Sequence, residues 1–234
     1  MELRPDNVAE WDPALFDKQD PTPDFLFYAQ VRKLVHIDEA AIGALTALYR
    51  ELLPPGGAIL DLMSSWRSHL PPEMRFSRVS GLGMNKDELA DNPQLTDYLI
   101  HDLNTNPALP YKDAEFDAAC CAVSVQYLQK PAVVFREVRR VLKPGGVFVV
   151  SFSNRCFPTK AVHVWLETSD TEHMQLVALY FAASGGWSQI TMRDCSAPGA
   201  RLFQCDPLYA VWATARTQPA DAPASSPPPS PARG

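Results

Sequence analysis

Between residues 24 and 214 the apolar positions switch between two periods along the chain. Helical spacing links Phe27, Val31, Leu34, Val35, Ile42, Leu45, Leu48 and Leu52, and predicts one or two helices over 24–53, stopped by Pro54-Pro55-Gly56-Gly57. Ala58–Leu62 is a short continuous apolar run around Asp61, as expected of a strand buried on both faces. A short helix is predicted from Ser65 to the Pro71-Pro72 stop, then strands at Phe76–Leu82, Tyr98–Ile100 and Asp117–Ala122, with a helix near Lys86–Ala90 after the second. Val133–Leu142 is amphipathic and ends at Lys143-Pro144-Gly145-Gly146, directly before a strand over Val147–Phe152. A helical stretch over 159–183 precedes two further strands, Trp187–Met192 and Leu208–Ala213.

Strands separated by helices imply crossover connections and a mostly parallel sheet, so the class is α/β, doubly wound. Only a loop joins the last two strands, which predicts an antiparallel hairpin at one sheet edge.

Composition narrows the function classes. The 234 residues carry 21 Lys and Arg against 27 Asp and Glu, a net charge of −6, which disfavours sequence-independent nucleic-acid binding. No run reaches the ~18 apolar residues of a membrane helix. The N-terminus lacks both a basic region and an apolar core of a signal peptide, so a cytoplasmic, non-membrane protein is expected. Its five cysteines are odd in number and without CxxC spacing, so neither a disulfide framework nor a metal site is indicated. Adjacent Cys120 and Cys121 point to opposite faces of a strand and read as buried, inert thiols. The Pro-, Ala- and Ser-rich stretch 215–234 reads as a disordered tail.

The segment FDAACCAVSVQYLQKPAVVFREVRRVLKPGGVFVVSFSN resembles the second half of a class I S-adenosylmethionine (SAM)-dependent methyltransferase domain of the small-molecule type. Phe116-Asp117 match the pair opening strand four, and Glu137–Gly146 match the segment ending in Leu-Lys-Pro-Gly-Gly. LDLxSSW, GLGMN and SFSNRCFPTKA further resemble a branch of that superfamily found in bacteria and plants. The resemblance implies a Rossmann-like methyltransferase sheet with an antiparallel last strand, flanked by helices. It also implies SAM as cofactor, a small-molecule acceptor, an N-terminal helical extension or lid over 1–54 and a SAM-binding domain over 55–214.

Matched residue by residue, the resemblance places Asp61, Leu62, Met63, Ser64 and Ser65 at the turn where backbone approaches the methionine end of the cofactor. This turn departs from the family, since serines stand where glycines are usual, and the alternative for Ser65 is a helix cap. Gly83 falls where the family has the acid that binds both ribose hydroxyls. Met84 is then expected against the adenine, and Asn85 either reaches the ribose or caps the next helix. Asp102 and Leu103 match the pair reading the adenine edge, and Ala122 and Val123 line the methyl-donor site. Gln126, Tyr127, Asn154 and Arg155 are expected on the substrate side. Arg155 and Lys160 either hold an anionic group or form a solvated loop, and Cys156 beside two cations has the setting for a lowered pKa. Tyr28, His36 and Tyr127 are the candidate catalytic residues, His36 as a general base. Two activities remain open: methyl transfer, in which positioning supplies much of the catalysis, or ligand binding without catalysis on the same fold.

Overall fold

The computed structural model describes residues 4–8, 11–198, 200–202 and 205–216; of the tail expected over 215–234, Ala215 instead ends the last strand, and residues 217–234 lie outside the described residues. Seven strands form one sheet: β1 (Ala58–Leu62), β2 (Arg78–Gly83), β3 (Asp97–Ile100), β4 (Phe116–Ala122), β5 (Leu142–Phe152), β6 (Trp187–Asp194) and β7 (Tyr209–Ala215). Their order is β3-β2-β1-β4-β5-β7-β6. The strands from β3 to β5 pair in parallel, whereas β7 is antiparallel to both β5 and β6. The α/β doubly wound class and the antiparallel hairpin at one edge are therefore as the sequence predicts.

Helices α1 (Asp24–Tyr28), α2 (Glu39–Leu52), α3 (Lys86–Ala90), α4 (Pro131–Val141), α5 (His163–Leu166) and α6 (Asp170–Ser184) flank the sheet. The apolar strand runs fill both of its faces, because successive side chains alternate. Leu60, Ala119, Cys121, Phe148 and Val150 join Phe135, Val138, Val177 and Phe181 of α4 and α6 in one core. Ile59, Ala118, Cys120, Val147 and Val149 join Leu45, Leu48 and Tyr49 of α2 in the other. The two adjacent cysteines thus divide between the cores, both buried.

Local signals explain the element ends. The Asp38 carboxylate accepts from the Ala41 amide and caps α2. At the other end, Pro54 and Pro55 cannot extend it. The stretch 24–53 forms two helices, α1 and α2, within the one or two expected, with non-helical chain between. Three predictions are corrected. The stretch 159–183 splits into α5 and α6. Leu142 begins β5 rather than ending α4, pairing with Phe116 across the sheet. Most consequentially, no helix follows β1: residues 63–77 are irregular, with His69 at φ 56°. Ser65 therefore caps nothing. The hydroxyl of Ser68 is drawn instead to Asp61, so tertiary bonds win over a helix of at most six residues before Pro71.

Before α1, Trp11 and Phe16 stack on each other and lie against Tyr180 of α6, so these two side chains anchor the segment to the main core. No helix among the described residues is long and apolar enough to cross a membrane.

Candidate functional site

A cavity of about 560 Å³ opens at the carboxyl ends of the parallel strands, roofed by the chain from Tyr28 to Asp38. Ligands in open α/β sheets bind at this end, where the connections diverge. Its floor is the turn after β1. Met63 takes a left-handed conformation at φ 57°, a backbone that favours glycine. The Ser64 amide continues the ladder to the Leu82 carbonyl at 2.8 Å. The hydroxyls of Ser64 and Ser68 donate to one oxygen of Asp61 at 2.5 and 2.6 Å. Asp61 is only 4% exposed, and burial pushes its carboxyl up to about 6 although both hydroxyls pull the other way.

This turn also explains Gly83. A Cβ there would stand 2.2 Å from the Ser64 carbonyl oxygen, so no side chain fits at the end of β2. The ribose-binding acid of the family is therefore sterically excluded here. Another carboxylate lines the same cavity: Glu88, on α3, accepts from the Ser65 hydroxyl at 2.6 Å and from the Arg32 amide at 2.6 Å.

Asn85 turns out to be both cap and clamp. Its side-chain oxygen accepts from the Asp87 and Glu88 amides, and its amide group donates to the Tyr28 and Ala29 carbonyls. With those groups engaged, the side chain serves as the helix cap. Asp102 lines the cavity beyond β3, where its carboxylate accepts from the Asn104 and Thr105 amides and the Thr105 hydroxyl. That turn fixes its direction. Leu103 beside it is buried, and Ala122 and Val123, small and apolar, close the wall at the end of β4.

The roof and far wall are largely apolar and aromatic: Tyr28, Leu34, Val35, His36, Tyr127 and Phe157. Phe157 meets Phe27, His36 and Tyr127 at ring separations of 5.2–6.2 Å. The Phe157 amide donates to the Tyr127 hydroxyl, and the Trp66 indole donates to the Leu34 carbonyl, tying roof to floor. Burial raises the phenols of Tyr28 and Tyr127 well above the ordinary range, so both stay protonated at neutral pH. Desolvation lowers the His36 imidazole, which is therefore neutral there.

Of the sequence-predicted site residues, Asp61, Met63, Ser64, Ser65, Met84, Asn85, Asp102, Leu103, Ala122, Val123, Tyr28, His36, Tyr127 and Arg155 line this one cavity. The others do not. Leu62 buries its side chain in the core. Gln126 is buried, donating to the Val123 carbonyl. Asn154 is exposed and outside the lining. Lys160 is fully buried between Asp20, Asp24 and the Thr22 carbonyl, so the expected anion contact is corrected to an internal anchor. Arg155 donates to Asp206 at 2.8 Å. The Cys156 thiol is raised by burial, not lowered by neighbouring cations. Sequence reasoning missed Glu88, Trp66, Leu34, Val35 and Phe157; the acidic first turn after Asn85 was the available signal for the first.

These features place one cavity at the carboxyl ends of a doubly wound sheet, and comparisons with known proteins identify the sheet. A family model described as a methyltransferase domain matches residues 75–150. The demethylmenaquinone methyltransferase of Renibacterium salmoninarum is 30% identical over 174 residues, 70% of this chain and 66% of that protein. A sterol 4-C-methyltransferase of Caenorhabditis elegans is 43% identical over 42 residues, 18% of this chain and 13% of that one. The chain thus spans just under two thirds of the first relative's length and far less of the second's. Among solved structures, the cyclase SpnF is similar with TM-score 0.57 and 18% identity, covering 82% of this chain and 86% of that one. A SAM-dependent methyltransferase of Mesorhizobium loti follows at TM-score 0.51 and 20% identity, covering 73% and 97%. The chain belongs to the class I SAM-dependent methyltransferase superfamily, whose cofactor is S-adenosylmethionine.

Proposed function

We propose that the chain transfers a methyl group from SAM to a small, largely apolar acceptor. The carrying observation is that one cavity holds both halves of such a reaction. The turn Asp61–Ser65, Met84, Asp102 with Leu103, and Ala122 with Val123 form a cofactor wall. Tyr28, Leu34, Val35, His36, Tyr127 and Phe157 form an acceptor wall facing it.

The fit to SAM is supported at both ends. Asp102 offers remaining acceptor capacity to an exocyclic adenine amine, and the small Ala122 leaves room at the methyl. When bound, SAM supplies an electrophilic methyl on a sulfonium. The protein's own part is to align the acceptor atom with that methyl and exclude water under the roof, which accounts for much of the rate without a covalent residue. Where the acceptor atom carries a proton, neutral His36 receives it. The phenols of Tyr28 and Tyr127 orient the acceptor as donors. Relatives named for demethylmenaquinone and sterol support an acceptor of low polarity. A cytoplasmic setting, in which the five free thiols stay reduced, completes the proposal.

A second reading, ligand binding without methyl transfer, is favoured by one observation: residues 63–77 provide no helix N-terminus to meet an anionic cofactor group. The similar fold of a cyclase is in keeping with it. Titration of the protein with SAM, followed by assay of S-adenosylhomocysteine release with quinol, phenol and sterol acceptors, separates the two. Saturable binding with release supports methyl transfer. Binding without release across the acceptors supports the second reading. No heat and no thermal stabilisation at millimolar SAM overturns methyl transfer and favours the second reading.

A further inference from the structure

We propose that Glu88, on α3, is the carboxylate that reads the ribose diol of the cofactor in this chain, displacing that task from the end of β2. The inference rests on the SAM-binding reading above. It begins from a steric exclusion. The Ser64 carbonyl oxygen stands 2.2 Å from where a Cβ on Gly83 would lie, and the Ser64 amide is held to Leu82, so the turn cannot retreat without breaking the strand ladder. An acid at position 83 is thus incompatible with the serine turn.

A pair of vicinal hydroxyls still calls for an acceptor, and a carboxylate, with two oxygens and about four lone-pair sites, suits it. Glu88 lies in the first turn of α3, reached directly from Gly83 through Met84 and Asn85, and all four residues line the cavity. Its side chain is fixed from two sides. One oxygen accepts from the Ser65 hydroxyl on the floor, and the other from the Arg32 backbone amide in the roof. Each oxygen keeps a further lone pair for the ligand. Asn85 holds the same α3 turn to the roof through the Tyr28 and Ala29 carbonyls. The carboxylate that reads the ribose therefore also joins roof to floor, so occupancy of the ribose site and closure of the roof are one linked event.

The test is calorimetric titration of the wild type, Glu88→Ala and Glu88→Gln with S-adenosylhomocysteine and with its 2′,3′-dideoxy analogue. Unfolding curves confirm that each variant is folded. Loss of charge-assisted bonds to the diol predicts that Glu88→Ala weakens the ribose ligand roughly ten- to a hundredfold and the dideoxy ligand far less. Glu88→Gln, which keeps one acceptor, falls between. Equal weakening of both ligands assigns Glu88 to the roof latch alone and overturns the proposal, as does unchanged affinity for both. Recovery of ribose-ligand affinity by adding Gly83→Asp to Glu88→Ala overturns it too, because the geometry forbids that route. Failure of the wild type to bind either ligand falls instead on the SAM-binding reading.

Discussion

Asp61→Asn should make the protein more stable at neutral pH, by an amount that grows with pH. In the folded chain the Asp61 carboxyl is pushed up to about 6 by burial, whereas unfolded it titrates near its ordinary value of about 3.9. Between those values the folded state binds more protons than the unfolded one, so stability falls as pH rises through this window and levels off above it. A separation of about two pKa units corresponds to about 3 kcal/mol, of which about 2 kcal/mol falls between pH 4.5 and 7. Asparagine is isosteric, accepts from both Ser64 and Ser68 when its oxygen takes the place of the one they share, and carries no charge to desolvate. The assay is urea unfolding of both proteins at half-unit steps from pH 4.5 to 8, read as the difference between the two curves. Other titrating groups cancel in that difference. The variant should gain on the wild type up to about pH 6.5 and then run parallel to it. A flat difference, within about 0.5 kcal/mol throughout, would refute the burial argument. A difference of opposite slope would mean that the two hydroxyls outweigh desolvation.

Lys160→Met should lower stability toward the low end of roughly 3–5 kcal/mol, since Lys18 still pairs with the buried Asp24 once Lys160 is gone; denaturant unfolding checks it. Gly83→Ala should cost about 2 kcal/mol or more, because its Cβ meets backbone rather than a movable side chain, and thermal unfolding reads the loss. Asp102→Ala should weaken SAM binding by roughly 1–3 kcal/mol in a folded protein, measured by titration; unchanged affinity would remove Asp102 from the adenine edge. Ser64→Leu should abolish SAM binding by filling the floor of the cavity, and normal affinity in a folded variant would move the cofactor elsewhere.

The sheet was legible because its strands are short apolar runs, as Ala58–Leu62, directly after Pro54–Gly57, and Asp117–Ala122 illustrate. The capped helix at Lys86–Ala90 was legible because Asn85 is a strong N-cap wherever it falls. The segment after β1 was not: Ser65 carries the local mark of a cap, but Asp61, Asn92 and Glu88 compete for the serines of this loop from elsewhere in the fold. Lys160 was misread for a similar reason. A cation near a ligand loop looks solvent-facing in sequence, while its partners lie some 140 residues upstream. Most of the residues proposed for the cofactor wall were legible as cavity-lining positions because they lie at or just beyond strand ends. The apolar roof residues Leu34 and Val35 passed as helix positions, since their spacing is helical although the chain there is not.

The insertion of β7 between β5 and β6 fixes an order of assembly on the ribosome. Strand β6 is synthesised before β7, yet its neighbour in the sheet is β7, so residues 187–194 have no strand to join when they emerge. Until residues 209–215 follow, β5 presents an open edge carrying Val147, Val149 and Val150, the kind of edge that recruits foreign strands. Nascent chains stalled between residues 195 and 208 should therefore be the aggregation-prone species, and binding of a chaperone should peak over that interval of synthesis. The last described strand acts as the keystone: it arrives late, seals two edges at once, and converts a five-stranded intermediate into the finished sheet.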